Sequence, residues 1–144
     1  MGKSRFRLGA VDLHFAAPRM TKALPRLLLA ASAALLFFGG IVHALALKKA
    51  VSAIASSNLQ DFYAGALKGL WLIDSATLVV LAIVLGLIAA RPVLASGLVV
   101  ALLALVPAAT AALLYIFIGA FVPAHFLLTA AILAFAAGLL LAYA

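Results

Sequence analysis

Five side chains could do chemistry within an otherwise apolar sequence: His43, Trp71, Asp74, Tyr115 and His125. Asp74 is the strongest signal, because a carboxylate inside a membrane-length apolar stretch is costly unless protonated, paired or hydrated. Its natural partners are His43 and His125. A His–Asp pair can relay protons, or can orient one imidazole toward a metal, a haem iron or a chlorin magnesium. Trp71 and Tyr115 would line such a site. The plainer reading is a hydrogen-bond knot that ties helices one, two and four together, with His125 facing water near a turn. The plainer reading carries more weight, because no ligand-spacing motif accompanies these residues.

Several chemistries are excluded or poorly supplied. The chain has no glutamate, no His-x-x-x-His and no His-Glu-x-x-His, which argues against di-metal and zincin hydrolases. It has no cysteine, so disulfides, thiolate metal sites, iron–sulfur clusters and covalent haem attachment are out. Ser75 near a His and an Asp lacks a nucleophile elbow. No glycine-rich phosphate loop is present. Helices three and four offer almost no polar lining for a channel or pump. A bis-histidine haem would need His43 and His125 to face each other, and hence helices one and four to be adjacent. A single His could instead hold one pigment. The sequence requires no cofactor; haem or chlorin would fall to His43 or His125.

The elements that position these groups follow from hydropathy. From Pro92 to Ala144 there is no Lys, Arg, Asp or Glu. A single helix of that length would run about 80 Å, far beyond a hydrocarbon core of about 30 Å, so the segment must cross twice. Together with Leu27–Leu47 and Gly69–Ala90, this predicts an all-α membrane protein, a four-transmembrane-helix bundle. The spans are expected at about 27–47, 69–90, 93–118 and 124–144, behind a basic tail at 1–26. At 69% hydrophobic and 9% charged, the 144-residue chain suits lipid rather than a charged exterior of its own.

The net charge of +7 is a topology signal rather than a nucleic-acid footprint. Lys3, Arg5, Arg7, Arg19, Lys22 and Arg26 precede the first span and Arg91 lies between spans two and three. Only Lys48, Lys49 and Lys68 lie on the other side. The positive-inside rule then gives N-in and C-in, with helices one and two extending outward as a hairpin. The expected location is the bacterial inner (cytoplasmic) membrane. The basic tail suits lipid headgroups or a partner, at about 1 kcal/mol per basic residue near an anionic surface. The basic stretch, Leu27–Val42 and Ala44-Leu45-Ala46 also resemble a secretory signal, but the basic region is long for one, and a retained first span is expected.

Finer features are expected as follows. Pro18 and Pro25 should break any long helix, with Pro25 at or just before the start of span one. Ser57 with Gln60, or Asn58 with Asp61, reads as a capping box that starts helix two near Leu59. Pro107 should kink helix three. Small residues recur every four positions: Ala130, Ala134, Gly138 and Ala142; Ala82, Gly86 and Ala90; Ala104, Ala108 and Ala112; Gly65 and Gly69. Such stripes let backbones approach closely in lipid. His43, Asp74, Tyr115 and His125 should all lie at similar depth in the outer half.

The outline of four short spans, a His near the end of span one and a Trp–Asp pair in span two is similar to that of DoxX-like and anthrone-oxygenase-like membrane proteins. No diagnostic motif accompanies the similarity, so it transfers no functional residue. The near-featureless apolar surface, the small-residue faces and the basic tail lead to the expectation of a non-catalytic accessory or structural subunit of a larger membrane assembly, of respiratory or photosynthetic type. Its partners would be the bilayer and another membrane protein or a second copy, with no nucleic acid. The alternative is a haem-, pigment- or quinone-binding redox protein, or a small membrane enzyme on a lipophilic substrate, built around His43, Asp74 and His125.

Overall fold

The computed structural model describes residues 17–143, the first six of them as backbone only. Among the described residues the chain is all-α. The elements are α1 (Ala17–Leu45), α2 (Leu47–Ala55), α3 (Asp61–Ala90), a 3-10 turn at Pro92–Leu94, α4 (Gly97–Leu103), α5 (Leu105–Phe117) and α6 (Val122–Ala142). Four helical segments are long and apolar enough to cross a membrane: Ala23–Ala55, Asp61–Ala90, Gly97–Phe117 and Val122–Ala142.

The turn chemistry departs from the sequence expectations in three places. Helix α1 runs straight through Pro25, which is fully buried, instead of starting at it. Proline removes one backbone donor and crowds one carbonyl, a loss that neighbouring helices can absorb in a packed apolar setting. The capping box does not form. Helix α3 starts at Asp61 behind an extended Gln60 with no side-chain cap. Ser56 and Ser57 instead donate to the carbonyls of Ala53 and Ile54, closing the end of α2. The third span begins at Gly97, where Ser96 Oγ accepts from the Val99 N–H as N-cap, and Pro92 goes into the preceding 3-10 turn. Its regular path is interrupted at Ala104, three residues before Pro107. Proline cannot make the i to i−4 bond, and the strain appears in the turn before it.

Helix α1 is the centre of the arrangement: α3 packs on one side of it and α6 on another, while α4 and α5 pack on α6. Between α3 and the third span lies an open groove of about 430 Å³, lined among others by Ile73, Val80, Val84, Leu103 and Val106. The contacts are made by small residues and leucine. Ala124, Ala130, Ala134 and Ala137 of α6 are fully buried, as are Leu29, Leu36, Leu85 and Val100. The tightest approach is α4 on α6. A Cβ added at Gly138 would sit 2.8 Å from both the Ala101 nitrogen and the Gly97 oxygen. Gly86 faces Ala33 across α1 and α3. By contrast, Gly65 and Gly69 face open space, so their G-x-x-x-G spacing packs against nothing among the described residues. Ala90 and Ala112 are likewise exposed. The small-residue stripes therefore mark interfaces only where the register brings a neighbour opposite.

Three polar contacts fix the antiparallel register. Arg26 donates from Nε to the Ala89 carbonyl (2.9 Å) and from Nη2 to the Ala90 carbonyl (3.0 Å). Buried Ser32 donates to the Ala130 carbonyl at 2.8 Å. His43 meets Ser75 at 2.8 Å. Counting along α1 and α6 from the Ser32–Ala130 contact, the start of α6 at Val122 stands level with Gly40, so His43 lies about 4.5 Å beyond it, beside the α5–α6 connection. His125 stands level with Phe37, about 9 Å away along the axis at 1.5 Å per residue.

Candidate functional site

The polar residues gather as two separate pairs rather than one cluster. The first joins α1 to α3. Gly40 makes it possible, because a Cβ there would lie 2.9 Å from Val79 Cγ2 and 3.1 Å from the Ser75 carbonyl. With the two backbones this close, His43, one turn further along, reaches the face of α3 that carries Trp71 and Ser75. The neighbouring glycine, Gly39, has nothing within 4 Å and plays no such part.

The hydrogen bonds of this pair close on themselves. Trp71 Nε1–H donates to the His43 carbonyl at 2.7 Å. Ser75 Oγ–H donates back to the Trp71 carbonyl at 3.0 Å. Ser75 Oγ then accepts from His43 Nδ1–H at 2.8 Å, which assigns the neutral tautomer with its proton on Nδ1. The imidazole lies flat on the indole, with centroids 4.2 Å apart and planes 8° apart. Asp74 Oδ2 stands 3.7 Å from the same Nδ1, an ion pair only when the imidazole is protonated.

This geometry argues against hydrolysis by Ser75. In a catalytic triad the imidazole takes the serine proton on one nitrogen and holds the carboxylate on the other. Here serine and carboxylate both address Nδ1, and the serine proton is committed to a backbone carbonyl. The chemically free atom is His43 Nε2, which has no hydrogen-bond partner among the described residues. Asp74 has 38% of its side chain exposed and lies beside His43, near the level of the α5–α6 connection.

The second pair joins α5 to α6. Tyr115 Oη and His125 Nδ1 are 2.5 Å apart, their rings tilted at 57°. The α5–α6 connection sets this up: Gly119 adopts φ +95°, the left-handed region that glycine enters without strain, and Pro123 opens α6. Helices α1 and α6 are adjacent, as a bis-histidine site would need, but the two imidazoles differ in level by about 9 Å along the axis. A single knot of His43, Asp74 and His125 joining helices one, two and four does not form, because His125 pairs with Tyr115 of α5. His43, Trp71 and Ser75 join the first two, and Ser32 joins α1 to α6. Among the described residues no buried side-chain nitrogen or oxygen lacks a partner, and no group of three or more metal-ligating side chains assembles.

Of the basic residues assigned to lipid or partner contact, Lys3, Arg5 and Arg7 lie outside the described residues, as do the side chains of Arg19 and Lys22. Arg26 is engaged within the fold. Its fork satisfies two of the carbonyls left open at the C-terminus of α3, where its charge also suits the helix dipole. Sequence reasoning missed the structural part of Ser75, whose signal is its position four residues after Trp71 on one helical face. It also missed Ser32, a lone hydroxyl in an apolar run. Comparison of the chain with known protein families, with curated proteins and with solved structures finds no match, so these two polar pairs are the ground for any functional reading.

Proposed function

We propose that this protein is a non-catalytic accessory subunit of a larger membrane assembly, with both termini on the cytoplasmic side of the bacterial inner membrane. One observation carries the reading. Residues 44–70, in α2 and the first turns of α3, continue beyond the level of the α5–α6 connection for about 20 Å at 1.5 Å per residue. A headgroup layer is only about 5–8 Å deep on each side. On that stretch Leu59, Phe62 (77% exposed), Tyr63 and Leu67 are uncovered. Large apolar side chains held past the headgroups favour a protein partner over water. The orientation rests on the seven basic residues at the end holding Arg91 and the N-terminal segment, against three at the hairpin end.

The test is extraction of native membranes into polymer-bounded lipid discs, followed by mass measurement and sequencing of the co-isolated chains. The expected particle contains a second chain in fixed stoichiometry, and Phe62→Asp with Tyr63→Asp releases it without loss of helix content. A lone 14.8-kDa chain would overturn the proposal.

The free Nε2 of His43 supports a second reading, in which this imidazole ligates a haem or chlorin. Ser75 would fix the tautomer and Trp71 the ring plane, as outer-shell partners of metal-bound histidines do. An absorption spectrum of natively isolated protein decides it. A porphyrin or chlorin band lost in His43→Ala supports this reading, and a colourless preparation removes it.

A further inference from the structure

We infer that the face of α3 turned away from α1 is the seat of a second copy of this chain, the two α3 helices packing side by side about a two-fold axis along the membrane normal. The inference goes beyond the proposed accessory role and does not depend on it.

The helical period defines the face. At about 100° per residue, Phe62, Ala66, Gly69, Ile73, Ala76 and Val80 fall within about 40° of one line, and all six are exposed. Buried Leu78, Ala82 and Leu85 lie on the opposite side, where α1 packs. The line is free of charge: Asp61, Lys68 and Asp74 each stand about 100° or more away from it. Phe62 lies nine residues, about 13 Å, beyond Trp71, which bonds to the His43 carbonyl beside the α5–α6 connection. The line therefore begins past the headgroups and continues into the bilayer. Lipid covers only its inner part and leaves Phe62 in water; a helix lying along α3 covers both.

Three features select a second copy. Copies of one membrane chain insert in the same orientation, so a two-fold axis along the normal sets each residue against its own counterpart at the same depth. The partner's apolar line then starts and stops where this one does, including the part beyond the bilayer. Such a contact sets like against like, which charges on the line would oppose and which its neutrality permits. Ala66, Gly69 and Ala76 add little bulk, so the two helices can approach closely. Finally, the open groove between α3 and the third span begins at Ile73, Ala76 and Val80 and is walled on its far side by Leu103 and Val106. The second α3, laid on the line, enters this groove, and the symmetry makes the entry mutual. Tyr63 and Leu67 stand about 100–140° to one side and stay open to the partner of the proposed assembly.

The chain has no cysteine, so single introduced cysteines report proximity without background. Ala66→Cys, Ile73→Cys, Ala76→Cys and Val80→Cys are made one at a time in the full chain and oxidised in native membranes. The controls are Leu70→Cys and Leu72→Cys, about 80° to either side of the line, and Ile132→Cys on the exposed face of α6. A disulfide needs Cα atoms within about 7 Å. The expected result is a disulfide-linked pair of this chain, identified by mass, at the four line positions and at none of the controls. Absence of the pair at Ile73→Cys, Ala76→Cys and Val80→Cys overturns the inference. So does equal pairing at all seven positions, which would mean random collision. All four line positions are exposed, so failure of one variant to fold leaves the others to decide. Pairing along the line with no other chain co-isolated supports the inference and removes the accessory reading; a co-isolated different chain without pairing does the reverse.

Discussion

Trp71 holds His43 twice: its indole lies parallel to the imidazole at 4.2 Å, and its N–H donates to the His43 carbonyl at 2.7 Å. The stack and the bond are separable. Trp71→Phe keeps an aromatic face and loses the donor, and is expected to cost about 0.5–1.5 kcal/mol of stability, the range for one such bond. Trp71→Ala removes both and is expected to cost about 0.5–1.5 kcal/mol more than Trp71→Phe, the range for an aromatic pair. Thermal unfolding in lipid discs, followed by circular dichroism, measures the difference; a Trp71→Phe variant as stable as the unaltered protein would mean that the hydrogen bond contributes nothing, and equal losses in the two variants that the stack contributes nothing.

Gly40 is the condition for that contact. Gly40→Val would push its side chain into Val79 and the Ser75 carbonyl, which lie 2.9 and 3.1 Å from the position of a Cβ. Carbonyl oxygen cannot rotate away, so α1 and α3 must part. The expected signature is in Trp71, the single tryptophan of the chain: its emission shifts to the red as the indole loses the imidazole. Gly39→Val, next to it but facing open space, leaves the emission unchanged.

The contrast between Gly40 and Gly39 shows what was legible in the sequence. Four apolar segments of membrane length were readable from hydropathy, because lipid imposes the same composition on every lipid-facing helix. Asp74, His43, Trp71, Tyr115 and His125 stood out for the opposite reason, as polar side chains in apolar runs. Beyond the expected approach of His43 to Asp74, their pairing was not readable: neither Ser75 and the Trp71 stack at His43 nor Tyr115 at His125 was foreseen. Which helix stands beside which is set by side-chain shape across an interface, and a small-residue stripe looks the same packed or bare. Gly138 and Gly65 share one spacing rule, yet one is pressed against α4 and the other faces open space. The local register of turns was equally hidden. Ser57 could serve either the helix behind it or the one ahead, and only the start of α3 at Asp61 decides for α2.

The two glycine environments give a direct comparison. Gly138→Val must displace backbone of α4, since a Cβ would lie 2.8 Å from the Ala101 nitrogen and the Gly97 oxygen. A loss of about 3 kcal/mol or more is expected, at the high end for overpacking. Gly65→Ala and Gly69→Ala enter open space and are expected to be neutral or stabilising by up to about 1 kcal/mol, the helix propensity gained. Unfolding midpoints of the three variants in one lipid system check the order. If Gly65→Ala or Gly69→Ala instead reduced co-isolation of a partner, these two glycines would mark the interface of the proposed assembly.

Arg26 closes the opposite end of the molecule, where α3 stops. Its guanidinium meets the Ala89 and Ala90 carbonyls with two nitrogens, which a lysine ammonium, as a single point charge, does not reproduce. Arg26→Lys keeps the basic count that sets orientation, and Arg26→Gln keeps neither charge nor fork. If the cap matters for stability, both variants fray the last turn of α3, seen as faster amide exchange at Ala89 through Arg91 by about fivefold, the equivalent of about 1 kcal/mol. If Arg26 acts only through its charge at the membrane surface, Arg26→Lys exchanges at the rate of the unaltered protein while Arg26→Gln does not. The guanidinium geometry favours the first outcome, because both acceptors belong to carbonyls that the end of α3 leaves without a helical partner.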